Sequence, residues 1–273
     1  MLLIDAYRAS KDIDRVIEES RKATELYPKD RSVKATYALM LGERGDTDEA
    51  VRILRGMLSG SSDDRDMYLS LAQVYDRGRR FAEAEQAARM AEKLGGQPAE
   101  NEMVWFLLGS IYERQKKYDL AEEQFNKVLQ INPRNAPVLN YYGYMLADRG
   151  VRLDEATALV KRALDEEAQN GAYLDSLGWA YFKQGRMTEA EDYLRRAAGR
   201  NRFDPTIRDH LGDLFYKTGR IEQAAEQWEK ALAEWRRALP TEYEPERVAE
   251  IQKKLADLKR RQAQKSAGEI KPE

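Results

Sequence analysis

One repeat period runs through most of this 273-residue chain and constrains its fold more than any other sequence feature. Small residues recur along one ladder of positions, and alanines recur along a second ladder with the same spacing. The first ladder is Ala38, Ala72, Gly109, Gly143, Gly178 and Gly212, and the second is Ala50, Ala84, Ala121, Ala156, Ala190 and Ala224. The steps are 34 residues, lengthened to 35 or 37 where turns carry insertions. Two ladders with one period indicate a stack of units that bury a core only together.

Each unit has the pattern of two packed helices. Trp105, Leu108, Gly109 and Tyr112 have the spacing that forms one stripe along a helix. A glycine or alanine inside that stripe lets a second helix approach closely. Glycines that follow the first helix, namely Gly45, Gly185 and Gly219, suit the left-handed turn that most residues resist. The sequence therefore predicts a series of helical hairpins.

The clearest unit resembles the tetratricopeptide repeat family. Its matching residues are Trp105, Leu108, Gly109, Tyr112, Ala121, Phe125 and Pro133. The first half of the motif recurs around Gly178 and Gly212, and the resemblance covers about nine-tenths of the chain. It implies an all-α fold, a right-handed superhelical solenoid of antiparallel helix pairs with a C-terminal capping helix.

The ladders predict the domain organisation. Residues 1–30 form a truncated first repeat, 31–240 form six repeats, 241–263 carry a capping helix, and 264–273 form a disordered tail. The six repeats are 31–64, 65–101, 102–135, 136–170, 171–204 and 205–240. The capping helix is predicted from an apolar stripe of Val248, Ile251, Leu255 and Leu258. The truncated repeat suggests a fragment of something longer, and self-association through Leu2, Leu3 and Ile4 is one alternative.

Composition argues against several functions. The chain has no cysteine and one histidine, so we expect no metal site, no cofactor and no enzymatic activity. A pI near 5.8 argues against nucleic acid as a partner. The longest apolar stretch, 103–112, is far shorter than the ~20 residues that span a bilayer, so we expect no membrane insertion.

In the tetratricopeptide family, the first helices line a concave groove, and the resemblance implies which residues face it. The candidate partner-binding residues are Phe106, Asn140, Tyr144, Asp148, Asp175, Trp179, Phe182, Asp209, Asp213 and Tyr216. Acids outnumber bases among the charged groove positions, so the groove should attract neutral to basic groups. We expect a peptide or a partner's helix to bind there, with apolar anchors on Tyr144 and Trp179.

The aromatic candidates have a structural alternative. For Phe106, Phe182 and Tyr216, packing between helices is favoured over partner contact, whereas for Tyr144 and Trp179 the two interpretations are balanced. The sequence does not have the Lys and Asn pattern of the family's clamp for a C-terminal carboxylate, and the acids at some of the corresponding positions would repel a carboxylate. His210 follows Asp209 directly, and adjacent helical residues do not face each other, so we expect a surface or partly packed histidine.

The sequence therefore predicts a non-catalytic scaffold that binds a protein or peptide in its groove. The alternative is a regulatory or substrate-recognition module cut from a larger enzyme or from an envelope assembly or secretion component. Sequence segments such as residues 142–150 and 174–179 are similar to segments of bacterial tetratricopeptide proteins, including envelope lipoproteins that act as adaptors. This similarity leaves the location open between the bacterial cytoplasm and the envelope.

Overall fold

The computed structural model describes residues 12–269, with side chains as far as residue 261. It consists of helices and turns throughout these residues, grouped into two compact units. The first unit contains the described residues up to Pro133 together with Leu239–Glu242, and the second contains Arg134–Ala238 and the chain from Tyr243 onward. The segment predicted to self-associate, Leu2 to Ile4, lies outside the described residues.

The first unit contains seven α-helices among its described residues. They are α1 (Ile13–Leu26), α2 (Arg31–Arg44), α3 (Thr47–Arg55), α4 (Arg65–Arg77), α5 (Phe81–Leu94), α6 (Glu102–Arg114) and α7 (Tyr118–Ile131). Short 3-10 turns, Ser62–Asp64 and Pro98–Asn101, precede α4 and α6. In this unit Thr241 Oγ1 donates a hydrogen bond to the carbonyl oxygen of Glu43.

The second unit also contains seven helices in the part that the structure describes. They are α8 (Ala136–Arg149), α9 (Leu153–Glu166), α10 (Gly171–Lys183), α11 (Met187–Arg200), α12 (Pro205–Lys217), α13 (Ile221–Trp235) and α14 (Pro245–Glu269). Each predicted repeat between 31 and 240 thus holds one helix pair. The last helix extends through Glu269, beyond the predicted boundary at residue 263, and residues 270–273 lie outside the described part.

Local chemistry explains where the first helices begin and end. Asn170 and Asp204 cap α10 and α12, because their side-chain oxygens accept hydrogen bonds from backbone N–H groups of the first turn. After these helices the chain turns at Gly185 and Gly219, both with φ of +79°. The predicted left-handed turns are therefore confirmed.

The two ladders pack the pairs together. The six alanines of the second ladder are fully buried. A Cβ atom added to Gly109 would lie 2.3 Å from the ring of Phe125, and one added to Gly212 would lie 2.3 Å from the indole of Trp228. At these two positions a small residue is needed because an aromatic side chain of the second helix fills the space beside the glycine. In each unit, the first helices of successive pairs lie side by side and form one layer.

Candidate partner-binding groove

Nine of the ten predicted site residues lie on the first helices of the second unit, α8, α10 and α12. Together with the helices that carry them, they form a surface that we call the second-unit groove. The tenth, Phe106, lies on α6 of the first unit, where its ring is 6.4 Å from that of Phe125. Asn140 is partly buried at the start of this surface, and its Oδ1 has no hydrogen-bond partner among the described residues.

The last helix of the chain lies along the second-unit groove. Three basic residues of α14, spaced by seven, each contact a first-helix residue of the groove: Arg247 contacts Tyr144, Lys254 contacts Asp209 and Asp213, and Arg261 contacts Tyr216. We call Arg247, Lys254 and Arg261 the basic stripe. Its spacing places all three on one side of the helix. The basic groups that face these acids and phenols therefore belong to the same chain.

Lys254 lies at the centre of these contacts. Its Nζ is 2.9 Å from Asp209 Oδ1 and 2.7 Å from Asp213 Oδ1, and Asp213 also accepts a hydrogen bond from Trp228 Nε1. Burial alone would lower the pKa of Lys254, but the two carboxylates outweigh it and raise that pKa. Burial and the charge of Asp213 raise the pKa of Asp209, whereas Lys254 opposes them. One ammonium thus holds two carboxylates that would otherwise repel each other.

The two outer members of the stripe bind phenol oxygens. Arg247 donates to Tyr144 Oη at 3.0 Å and lies 4.0 Å from Asp148 Oδ2. Arg261 donates to Tyr216 Oη at 2.6 Å. Burial raises the pKa of Tyr144, so its phenol stays protonated and acts here as a neutral acceptor.

An apolar stripe next to the basic stripe anchors the helix. Val248, Ile251, Leu255 and Leu258 are all buried, and they belong to one hydrophobic cluster with Trp228 and Trp235 of α13. Phe182 and Tyr216 pack against the same cluster. Burying a side chain of this size contributes about 1.5–3 kcal/mol. The apolar contacts therefore supply most of the affinity of α14 for the repeats, and the basic stripe fixes its register.

His210 is fully buried, so the expectation of a surface or partly packed histidine was wrong. Its Nδ1 lies 3.0 Å from both carboxylate oxygens of Asp175, which precedes it by one repeat, and its ring stacks on Trp179 with centroids 4.0 Å apart. Burial alone would lower the pKa of His210, but Asp175 outweighs it and the pKa is raised. The neighbouring Asp209 instead bonds Lys254.

Asp175 and Trp179 form part of the groove wall. Trp179 is 6% exposed, stacks on Phe182 at 4.9 Å, and donates from Nε1 to Asp148 Oδ1 at 3.2 Å. Lys183 lies 5.1 Å above the same indole and donates to the carbonyl oxygen of Asp148. These contacts agree with the structural alternative for Trp179. Tyr144, by contrast, directs its hydroxyl to α14.

The arrangement suits binding by side-chain contact. Among residues 12–261, no group of three or more His, Asp or Glu side chains is placed to hold a metal ion. Within the described part of the chain, no helix combines the length and apolar character needed to cross a membrane. The groove presents acids, phenols and an apolar floor, and these groups hold an amphipathic helix.

A model of one protein family matches nearly all of the chain. This family is described as the Cilia and flagella-associated protein 70 C-terminal domain, and its model matches residues 4–251. The chain belongs to this family. It is a tetratricopeptide repeat protein, as the sequence motifs predicted.

A bacterial relative matches part of the chain. A TPR repeat-containing protein of Pseudomonas aeruginosa is 42% identical over 82 residues, which are 29% of this chain and 14% of that protein. This tetratricopeptide repeat protein therefore matches only a small part of that relative's length.

Solved structures share the fold. A tetratricopeptide repeat protein from Parabacteroides merdae aligns with a TM-score of 0.67 at 17% identity, over 92% of this chain and 94% of that one. PilW, described as a widely conserved type IV pilus biogenesis factor, aligns with a TM-score of 0.57 at 25% identity, over 70% of this chain and 91% of that one. The predicted all-α class of paired helices is confirmed. Folds of this kind serve as scaffolds for protein interaction and are typically non-catalytic.

The repeat pattern of this tetratricopeptide repeat protein predicts a capping helix and a groove, but it does not predict that the helix occupies the groove. The missed residues are Arg247, Lys254, Arg261 and His210. A signal was present, because the basic stripe repeats every seven residues directly before Val248 and Leu255 of the apolar stripe.

Proposed function

We propose that this protein is a non-catalytic interaction scaffold whose second-unit groove binds a helix of a partner protein. The partner is neutral to basic and brings apolar anchors. Tyr144, Asp148, Asp209, Asp213 and Tyr216 provide the polar contacts, whereas Asp175 and Trp179 hold the wall behind them.

The observation that supports this proposal is the way α14 occupies the groove. An amphipathic helix that lays its apolar face into a groove and fixes its register with charges is a common mode of peptide recognition. The acids of α12 and the phenols of α8 and α12 accept hydrogen bonds from three cations of one helix. A groove that holds this helix has the chemistry to hold another of the same kind.

A second candidate function is a recognition module within a larger assembly or secretion component. The observation in its favour is the 25% identity to PilW, whose printed description is a type IV pilus biogenesis factor. The small fraction of the Pseudomonas relative that is matched also fits a module within a longer chain. In this case too, the groove serves as the recognition surface.

Site-specific photo-crosslinking tests the proposed function. A photoreactive aromatic residue replaces Tyr216 on α12, and a matched variant carries it at Tyr193 on α11; both tyrosines are partly buried. In lysate of the source organism, position 216 should give intermolecular adducts whose crosslinked peptide is a basic amphipathic helix. Adducts that form equally at both positions, or only at 193, would place partner binding outside the groove.

A further inference from the structure

We propose that α14 is an intramolecular occupant that keeps the second-unit groove closed, and that a partner's basic amphipathic helix must displace it. The inference rests on the proposed function and adds to it both a regulation and a ligand pattern. The occupant that enters is a helix of another protein with the same spacing of cations and apolar residues as α14.

The contacts of α14 define this pattern. A basic residue is followed after one and four positions by apolar residues: Arg247 by Val248 and Ile251, and Lys254 by Leu255 and Leu258. The second unit therefore binds a helix with a seven-residue pattern. The cation of that pattern faces the first helices, and its apolar pair faces α13. A foreign helix with this pattern restores the contacts that α14 gives up.

Asp209 and Asp213 require that the helix in the groove carries a cation. Asp209 is 4% exposed and lies beside Asp213, and Lys254 contacts both. A helix that leaves without a replacement exposes the apolar cluster around Trp228 and removes the charge that both carboxylates need. Exchange of α14 for an incoming helix is therefore favoured over release of α14 without a replacement.

The covalent connection makes α14 a strong competitor. A tethered ligand acts at an effective concentration of about 1 mM. For a helix whose intrinsic Kd is on the order of 10 μM, the tether weakens apparent binding of a free helix about 100-fold. A partner must exceed this threshold, or α14 must be weakened first.

A peptide-binding assay on the full chain tests the inference. The probe is a fluorescent peptide with the sequence of residues 243–269, and anisotropy reports its binding to the parent chain, to Lys254→Glu and to Lys253→Glu. Lys253 is exposed and adjacent, so the control has the same charge change without the groove contact. The Lys254→Glu chain should bind the peptide at least tenfold more tightly than the other two, and a peptide that itself carries Lys254→Glu should bind none of them.

A second pair of variants guards against a folding defect. Arg261→Glu removes the contact to Tyr216 at the outer end of the stripe, and the exposed Arg260 provides the matched Arg260→Glu control. Circular dichroism should show that all chains remain folded, with any loss of helicity no larger than the release of α14 accounts for. Arg261→Glu should shift peptide affinity in the same direction as Lys254→Glu, by at least threefold relative to its control.

The outcomes separate the inference from the proposed function. Equally tight binding to parent and Lys254→Glu chains would overturn the closed groove and leave helix binding intact. If a folded Lys254→Glu chain and a folded Arg261→Glu chain both fail to bind the peptide, the ligand pattern is wrong and the proposed function loses its support. If the parent chain forms dimers and the peptide dissociates them, the groove is occupied by a second copy of this chain. That result would overturn the proposed partner.

Discussion

The first-helix layers of the two units neutralise their acids in different ways. In the first unit, the basic partners come from neighbouring repeats: Arg77 lies 3.0 Å from Glu43, and Arg114 donates to Asp76 at 2.9 Å. In the second unit, Asp209 and Asp213 take their cation from α14, an element outside the repeats. The second unit also has a pair between repeats, Asp175 with His210, but the cation for Asp209 and Asp213 is supplied by an added helix.

This difference separates a structural role from a binding role. A charge pair between adjacent repeats can be lost only when the repeats separate. A charge pair with an added helix can be exchanged for an equivalent pair with another helix. The proposed function therefore draws on the second unit, and the following predictions test the comparison between the two units.

The largest expected effect comes from the apolar anchor of α14. Ile251 is fully buried, so Ile251→Ala should lower the free energy of unfolding by about 2–4 kcal/mol. Urea unfolding followed by circular dichroism measures this loss, and hydrogen exchange should locate it in α14. The exposed neighbour Gln252 gives the control Gln252→Ala, which should change stability by less than about 0.5 kcal/mol.

The matched change in the first unit is Leu108→Ala, at a fully buried position of α6. It should cost a similar free energy, about 2–4 kcal/mol, but raise hydrogen exchange in α6 and α7. A variant of either unit that loosened all helices equally would contradict the distinction between the added helix and the repeats.

The second prediction concerns the two kinds of charge pair. Lys254→Ala leaves two carboxylates without their cation and should cost about 2–3 kcal/mol, whereas Arg114→Ala leaves only Asp76 and should cost about 1–2 kcal/mol. Double-mutant cycles with Asp213→Asn and Asp76→Asn measure the coupling free energies of Lys254 with Asp213 and of Arg114 with Asp76. Equal coupling free energies would mean that the two units do not differ in how strongly their acids depend on a cation.

The third prediction concerns pH, and the chain's single histidine makes it direct. The pKa of His210 is raised in the folded state, so the stability it contributes is complete below its unfolded pKa of about 6.5 and is lost as pH rises through the folded value. The imidazole proton resonance should titrate above 6.5 and shift to lower pH in Asp175→Asn. A resonance that titrates below 6.5 in the parent chain would mean that burial outweighs Asp175.

The smallest effect concerns the turns. Arg79 in the first unit has φ of +57°, whereas the second unit has Gly185 at φ of +79°. Arg79→Gly should raise the free energy of unfolding by about 0.5–1 kcal/mol, and Gly185→Ala should lower it by about 1 kcal/mol. Thermal unfolding of the two variants gives the sign, and a loss of stability in Arg79→Gly would show that its side chain matters more than its backbone.

Much of the fold could be predicted from the sequence because its rules are local. The spacing of the small residues sets the helix pairs, and the closeness of Gly109 to Phe125 and of Gly212 to Trp228 shows why bulk is excluded there. The turn at Gly185 follows from its backbone freedom. Such signals need only the repeat itself.

The candidate site could be predicted only in part because it depends on contacts between distant segments. The repeat pattern identifies the faces of α8, α10 and α12, but it does not say that Lys254 returns to Asp213 across 41 residues. It also does not pair His210 with Asp175 of the preceding repeat. Both contacts join helices that are neighbours in space but belong to different units of the repeat pattern, which describes each unit by itself.

Hydrogen exchange along α14 is the most direct test of the claim that Lys254 of the basic stripe contributes, with the apolar anchors, to holding this helix in the groove. The measurement compares the amides of residues 246–261 in the parent chain, Lys254→Glu and Lys253→Glu. Lys254→Glu should lose most of the protection of α14 while α8, α10 and α12 keep theirs, and Lys253→Glu should match the parent. Equal protection of α14 in both variants would contradict the account, because Lys254 would then contribute nothing to holding the helix.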